Sequence, residues 1–287
     1  MRGAVIGLIL ALGLAPVALA QDENPDDAAV WRKLHATVFA DAPIERGDAV
    51  VELDTPKRAV DATIVPVAIR TRLTQSTGHF IETIWLIVDN NPSPVAAIFH
   101  FTPQSGRADV ETRIRIEQYT HVRAIARTND GRLFMATSYV KASGGCTAPR
   151  GSDPASALAT LGRMRMKVDG TPVPGRPILA QLMISHPNDS GLAMDPMART
   201  YAAPHFVRTV EVTYAGKPVM RADVDFSISE NPNFRFYFTP GNGGQLAARI
   251  VDNQDQAFST AISVESIADA MRRRIEGQPD AHENAAR

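Results

Sequence analysis

The chain is short of three things that many functions need. It has one cysteine in 287 residues, aromatics make up only 6%, and neither sign of charge dominates, with 30 Lys and Arg against 31 Asp and Glu. A single cysteine excludes an intramolecular disulfide, a CxxC redox pair, a cysteine-rich zinc site and CxxCH haem attachment. Balanced charge argues against a protein built on long-range attraction to nucleic acid. Few aromatics argue against a wide stacking platform. Common catalytic signatures are missing too: GxSxG, HExxH, GxxxxGK followed by Ser or Thr, and the dinucleotide-binding glycines. What is present suits a folded chain, with 44% hydrophobic and 21% charged residues.

Met1–Ala20 reads MRGAVIGLILALGLAPVALA. Arg2 gives a positive start, Ala4–Leu14 an apolar stretch, and Ala18-Leu19-Ala20 an A-x-A cleavage site before the polar QDENPDD. That is the pattern of a secretory signal peptide. A retained anchor is the rival reading, but the apolar run is short for a span and Pro16 breaks it. Later apolar runs are strand-sized, so no membrane anchor is expected after cleavage. The mature chain would begin at Gln21 and hold 267 residues, with 29 basic and 31 acidic ones.

Residues 24–44 carry Trp31, Leu34, Val38 and Phe39 at helical spacing, with Pro43 as the stop. From Asp48 to Val140 the pattern changes to short, alternating strand-like runs. They include TIVPVAI at Thr63–Ile69, IETIWLIV at Ile81–Val88 and LFMATSYV at Leu133–Val140. Asp54-Thr55-Pro56, Asp89-Asn90-Asn91-Pro92 and Asn129-Asp130-Gly131 supply the turns. Ser143–Gly162, SGGCTAPRGSDPASALATLG, reads as a linker. A second strand-rich block follows to Asp252. Val264, Ile267, Met271 and Ile275 then share one face of an expected carboxy-terminal helix, with an edge strand as the alternative. Asn91-Pro92 and Asn231-Pro232 echo each other between the blocks. The fold class expected is mainly β: two immunoglobulin-like antiparallel β-sandwich domains in tandem, with an N-terminal helix and a short C-terminal helix. The boundaries are signal peptide 1–20, first sandwich 21–142, linker 143–162, second sandwich 163–262, and helix with polar tail 263–287.

Cys146 is the leading chemical candidate. Gly144 and Gly145 precede it, and glycines free the backbone and remove bulk. Lys141 and Arg150 flank it, and nearby cations favour thiolate. In an exported protein a lone thiol is commonly paired between chains or put to use. The reading is an accessible thiol on a slender arm; an inert linker cysteine is the alternative. Met183, His186, Met194, Met197 and His205 form a second, weaker candidate, since Met and His suit copper. Against it, Met183 lies in an apolar strand, where filling a core is the usual task of Met. His100, in another apolar strand, is expected to be packed. No cofactor is expected.

The first block resembles SoxY and the second SoxZ, the two subunits of the periplasmic sulfur-compound carrier of the Sox system. SoxY-like features are VFADAPI at Val38–Ile44, TIVPVAI, VDNNPSPVAAIFHFTP at Val88–Pro103, and DGRLFMATSYVKASGGC ending at Cys146. SoxZ-like features are ISHPNDSGLAMD at Ile184–Asp195, VEVTYAGKPV at Val210–Val219, SENPNFRFYF at Ser229–Phe238, and Val251-Asp252-Asn253. The resemblance implies two immunoglobulin-like sandwiches and a non-catalytic carrier. It places covalent substrate attachment on Cys146, with Gly144 and Gly145 as the carrier arm. It implies a periplasmic location and partners among periplasmic redox or hydrolytic enzymes. In that family the cysteine arm ends freely; here Thr147-Ala148-Pro149 follow and tether it at both ends. Fused chains of this kind resemble carriers associated with quinoprotein dehydrogenases, so an accessory interaction module of such a dehydrogenase is the other implied role.

Overall fold

The computed structural model describes residues 29–149, 151, 153–194 and 199–265. The expected signal peptide, Met197, Arg150 and nearly all of the expected carboxy-terminal helix lie outside them.

Helix α1 spans Ala29–Phe39 and turns Trp31, Leu34, Val38 and Phe39 onto the sheet beneath. It stops before Pro43, because Ala40 and Asp41 adopt left-handed φ of 49° and 58°. Eight strands follow in the first half: β1 Ile44–Arg46, β2 Val51–Asp54, β3 Val65–Thr71, β4 Ile81–Val88, β5 Val95–Phe101, β6 Val110–Ile114, β7 Thr120–Thr128 and β8 Leu133–Val140. After the short helix α2, Pro154–Ala159, come β9 Met164–Val168, β10 Ile178–Ile184, β11 Val207–Tyr214, β12 Lys217–Val224, β13 Asn233–Phe238, β14 Gly244–Asp252 and β15 Ala257–Val264.

Each half forms an immunoglobulin-like sandwich unit, but the units are not separate bodies. The nine-stranded sheet runs β1-β8-β7-β4-β5-β12-β11-β14-β15, and the six-stranded sheet runs β2-β3-β6-β13-β10-β9. Both sheets therefore cross from one half into the other. At one crossing β5 pairs antiparallel with β12, from Phe101 opposite Met220 to Ala97 opposite Val224. At the other, β6 pairs with β13 through Glu111–Arg235 and Val110–Phe236. This corrects the expectation of two packed but distinct sandwiches. The physical reason is that β5, β6, β12 and β13 would otherwise be open edges with unpaired N–H and C=O groups. Pairing them with each other removes four edges at once. One hydrophobic cluster runs through both halves, with Phe99 and Phe234 meeting edge-to-face across the seam at 6.3 Å. His100 departs from expectation: its side chain is 39% exposed and sits 3.2 Å from Asp223 across the β5–β12 seam.

Strand β4 explains why its sequence is a near-continuous apolar run. Ile84, Leu86 and Val88 fill the core between the sheets, whereas Ile87 faces the cluster under α1. A strand covered on both faces needs no polar alternation. Two strands escaped the sequence reading. Three-residue β1 is too short for a periodic signal, and it pairs parallel with β8. Edge strand β15 alternates regularly, with Phe258, Ile262 and Val264 on the core side, but its outward residues are small and Thr260 interrupts the apolar face.

Candidate functional site

Strands β6 and β7 are joined by residues 115–119, and this segment forms the floor of the cysteine site. Asn91, buried at the end of β4, accepts the Glu117 N–H at 2.9 Å and donates its amide to the Arg115 carbonyl at 2.8 Å. The chain after β8 then lies along that floor. The Gly144 N–H donates to the Glu117 carbonyl at 2.8 Å, and the Gly145 N–H to the Ile116 carbonyl at 2.9 Å.

Cys146 is 1% exposed. Its backbone N–H donates to Glu117 Oε2 at 2.8 Å, and its carbonyl accepts from Ser190 Oγ at 2.6 Å. Thr147 adds its N–H to Glu117 Oε2 at 3.1 Å and its hydroxyl to Oε1 at 2.9 Å. One carboxylate from the first half and one hydroxyl from the second therefore hold the cysteine between them. Further along, the Gly151 N–H reaches Glu230 Oε2 at 3.0 Å.

These contacts overturn the expectation of an exposed, activated thiol. Burial and then the nearby Glu117 carboxylate push the Cys146 thiol up to about 12, against the opposing pull of Arg115. Thiolate is the reactive form, so the docked cysteine is a poor nucleophile at neutral pH. The flanking Lys141 has its backbone in a parallel bridge with Arg58, and it is not among the charges that act on the thiol. Sequence proximity to cations was a weaker guide than the through-space neighbour Glu117.

The two glycines have different tasks. Gly144 has φ +82° with open space where a Cβ would stand. Gly145 is packed so closely that a Cβ would lie 2.1 Å from the Ala62 carbonyl oxygen and 2.8 Å from that of Ile116. Gly144 turns the chain, and Gly145 lets it sit down.

Arg115 is the other group that residue order alone did not reveal. It is 7% exposed and donates through Nη1 to the carbonyls of Phe226 at 2.9 Å, Ile228 at 3.2 Å, and Asn188. A residue of β6's extension thus organises loops of the second half.

The Met and His candidates separate in space. Met183 lies on β10 with its side chain away from the inter-sheet core, and Met194 bridges Tyr201 with its side chain half-exposed. His186 and His205 do meet, with ring centroids 4.6 Å apart, and the buried Asp252 joins them. Asp252 was missed as a partner; its only sequence signal was its place in Val251-Asp252-Asn253. Its Oδ1 accepts the N–H groups of Gln254 and Gln256, each at 2.9 Å. Oδ2 accepts His205 Nε2–H at 2.9 Å and lies 3.6 Å from His186 Nε2. Burial pushes the Asp252 carboxyl up, but the bonds from His205, Gln256 and Gln254 outweigh it and hold it below the usual range.

One acidic and two imidazole ligand atoms within 4.8 Å of one another raise the question of a metal. The tautomer of His186 answers it. The Asn188 N–H donates to His186 Nδ1 at 3.0 Å. A neutral imidazole that accepts at Nδ1 carries its proton on Nε2. Nε2 is the atom aimed at Asp252, and it has no lone pair to offer an ion. His205 is hydrogen-bonded to Asp252, while His186 Nε2 stands 3.6 Å from the same oxygen without a hydrogen-bond partner, so in this tautomer the trio is a carboxylate–histidine cluster rather than a ligand set.

Residues 35–146 match the family model for sulfur oxidation protein SoxY, and residues 166–263 match that for sulphur oxidation protein SoxZ. The sulfur carrier protein SoxY from Chlorobium limicola f thiosulfatophilum is 24% identical, over 38% of this chain and 89% of its own, with a TM-score of 0.33. A superoxide reductase (neelaredoxin) from Ignicoccus hospitalis is 18% identical, over 33% of this chain and 82% of its own, with a TM-score of 0.30. No curated protein matches the chain.

Proposed function

Because this chain is a SoxY domain followed by a SoxZ domain, the two halves of a sulfur-oxidation carrier, we propose that it holds a substrate intermediate covalently on Cys146 and presents it to partner enzymes. The observation that carries this reading is the place of Cys146. It is the last residue of the SoxY match, it follows the Gly144-Gly145 pair, and it lies where both halves reach the same backbone segment. Its hydrogen bonds among the described residues are made through its backbone, and its sulfur is in no disulfide, which an attachment point requires.

The proposed setting is the periplasm, reached through cleavage after Ala20, and the proposed role is that of a carrier rather than a catalyst. Partners would be the redox or hydrolytic enzymes that load and unload the thiol. Intact-mass measurement of protein taken from its native periplasm, with and without reductant, tests this directly. A reductant-labile adduct that disappears in Cys146→Ser supports it. Native protein that carries only the unmodified mass under every growth condition tested would sink it.

The burial of Cys146 favours one second reading, in which the chain is an interaction module of a quinoprotein dehydrogenase and the cysteine only packs. Under that reading Cys146→Ser leaves every activity of the host pathway intact.

A further inference from the structure

We propose that Glu117 and Ser190 form a load-sensitive clasp: it closes over Cys146 as a free thiol and cannot close once the sulfur carries a group, so loading turns the arm outward. The identity of the natural group rests on the carrier reading above; the clasp itself does not.

In the closed form the two backbone groups of Cys146 are both bonded, the N–H to Glu117 and the C=O to Ser190. Its side chain is enclosed at 1% exposure. The preceding residue cannot retreat to make room, because Gly145 already rests against the carbonyls of Ala62 and Ile116. Two open clefts, of about 850 and 520 Å³, lie elsewhere, and the arm lines neither. Even the smallest substituent replaces a thiol hydrogen by a heavy atom in a packed interior, and interiors resist such additions. A charged or polar substituent also loses its water.

The outer bonds that hold the arm down, from Thr147 to the half-buried Glu117 carboxylate, are exposed and exchange with water; the inner ones, from Cys146 to Glu117 and from Ser190 to the Cys146 carbonyl, must open with the arm. A group on the sulfur that fits only the open arm shifts the balance towards it. The bare thiol is thereby kept from stray oxidants, and the loaded one is put within a partner's reach.

The test uses methyl methanethiosulfonate on the full chain. The Cys146 thiolate attacks the sulfenyl sulfur, a protein S–S–CH3 bond forms, and methanesulfinate leaves. Hydrogen exchange of the Cys146 and Thr147 amides should be at least about tenfold faster in the methylthio form, since charge-assisted bonds are lost. Reductant should restore slow exchange. In the unmodified protein, Glu117→Gln should speed reaction of Cys146 with Ellman's reagent by about tenfold or more, with Glu117→Asp between it and wild type. An unchanged melting temperature in both variants would show that the fold is kept. Equal amide exchange in free and methylthio protein overturns the proposal, as does a wild-type reaction rate in Glu117→Gln. Neither result depends on whether native protein is found loaded, so the clasp and the carrier reading fail separately.

Discussion

Arg123 and Asp89 form an ion pair from which water is excluded, their side chains 0% and 3% exposed. Nε donates to Oδ1 at 2.9 Å and Oδ2 at 3.0 Å, and Nη2 donates to Oδ2 at 2.8 Å. The Trp31 ring of α1 lies over the guanidinium at 4.1 Å. The pair joins β4 to β7 and gives the helix its seat. Removing one partner strands a buried charge. Asp89→Ala should therefore cost about 3–5 kcal/mol, whereas replacing both residues by apolar ones of similar volume should cost much less. Urea unfolding of the single and double variants checks this; an equal loss in both would show that packing, not charge, dominates here.

The glycines before the cysteine should respond unequally. Gly144→Ala meets open space but must hold a left-handed φ, a strain of about 1–2 kcal/mol. Gly145→Ala must push against two carbonyl oxygens. It should lift the arm from its floor, lose more stability than Gly144→Ala, and make Cys146 react faster. Denaturation midpoints and Ellman kinetics on the two variants give the order; the reverse order would mean that the arm does not rest on Ala62 and Ile116.

The thiol sets an alkaline limit. Burial pushes its folded pKa up to about 12, above the 9.0 of a free thiol. The folded state thus favours the protonated form, and its stabilising effect is whole below pH 9. It is lost as pH rises from about 9 towards 12, because the unfolded chain gives up the proton first. Cys146→Ala should remove this part of the alkaline fall in stability. Iodoacetamide labelling of wild type should keep rising with pH instead of levelling near pH 9. A plateau there would identify an exposed thiol.

Much of the fold was legible because turns and alternation are local signals. The strand runs from Thr63 to Val140 and from Ile178 to Asp252 were marked by their own residues. What the chain did not disclose is which edges meet. Nothing in VAAIFHF or KPVMRADV states that β5 will pair with β12 instead of ending the sheet. The site was half legible in the same sense. Cys146 and its glycines stood out by composition. Glu117, Arg115 and Ser190 looked like ordinary polar residues until the fold placed them around it. The faint echo of Asn91-Pro92 and Asn231-Pro232 has a physical counterpart. Asn91 Oδ1 accepts the Glu117 N–H, and Asn231 Oδ1 accepts the His186 N–H, at 2.9 and 3.1 Å. Each half uses its asparagine turn to pin one wall of the site.

His186 sets an acid limit. Burial, and next the neighbouring His205, lower its pKa from 6.5 to about 4. The folded state favours the neutral ring, so this contribution is whole above pH 6.5 and is lost as pH falls from there towards 4. Protonation also takes away the Nδ1 lone pair that accepts from Asn188. Because Asn188 leads into the loop that carries Ser190, the clasp should loosen in step. Melting temperature followed from pH 7 to 4 should fall more steeply in wild type than in His186→Asn. Parallel curves would place the acid sensitivity in another group.

The shared sheets make a prediction about covalent continuity. The seam consists of two strand pairings, the Phe99–Phe234 contact, and side-chain bonds such as Asn91 Nδ2 to Ser227 Oγ at 3.1 Å and Ser229 Oγ to the Thr63 carbonyl at 2.7 Å. The peptide connection adds effective concentration to these contacts but none of the contacts themselves. A protease site engineered at residues 151–153 should therefore yield two fragments that migrate together on native size exclusion. They should unfold in one transition, because each half supplies the other's edge partner. Dilution should lower the midpoint of the cut protein but not that of the intact chain, since only the former dissociates on unfolding. Fragments that separate under native conditions, each with its own melting transition, would show that the seam is a contact between self-sufficient sandwiches.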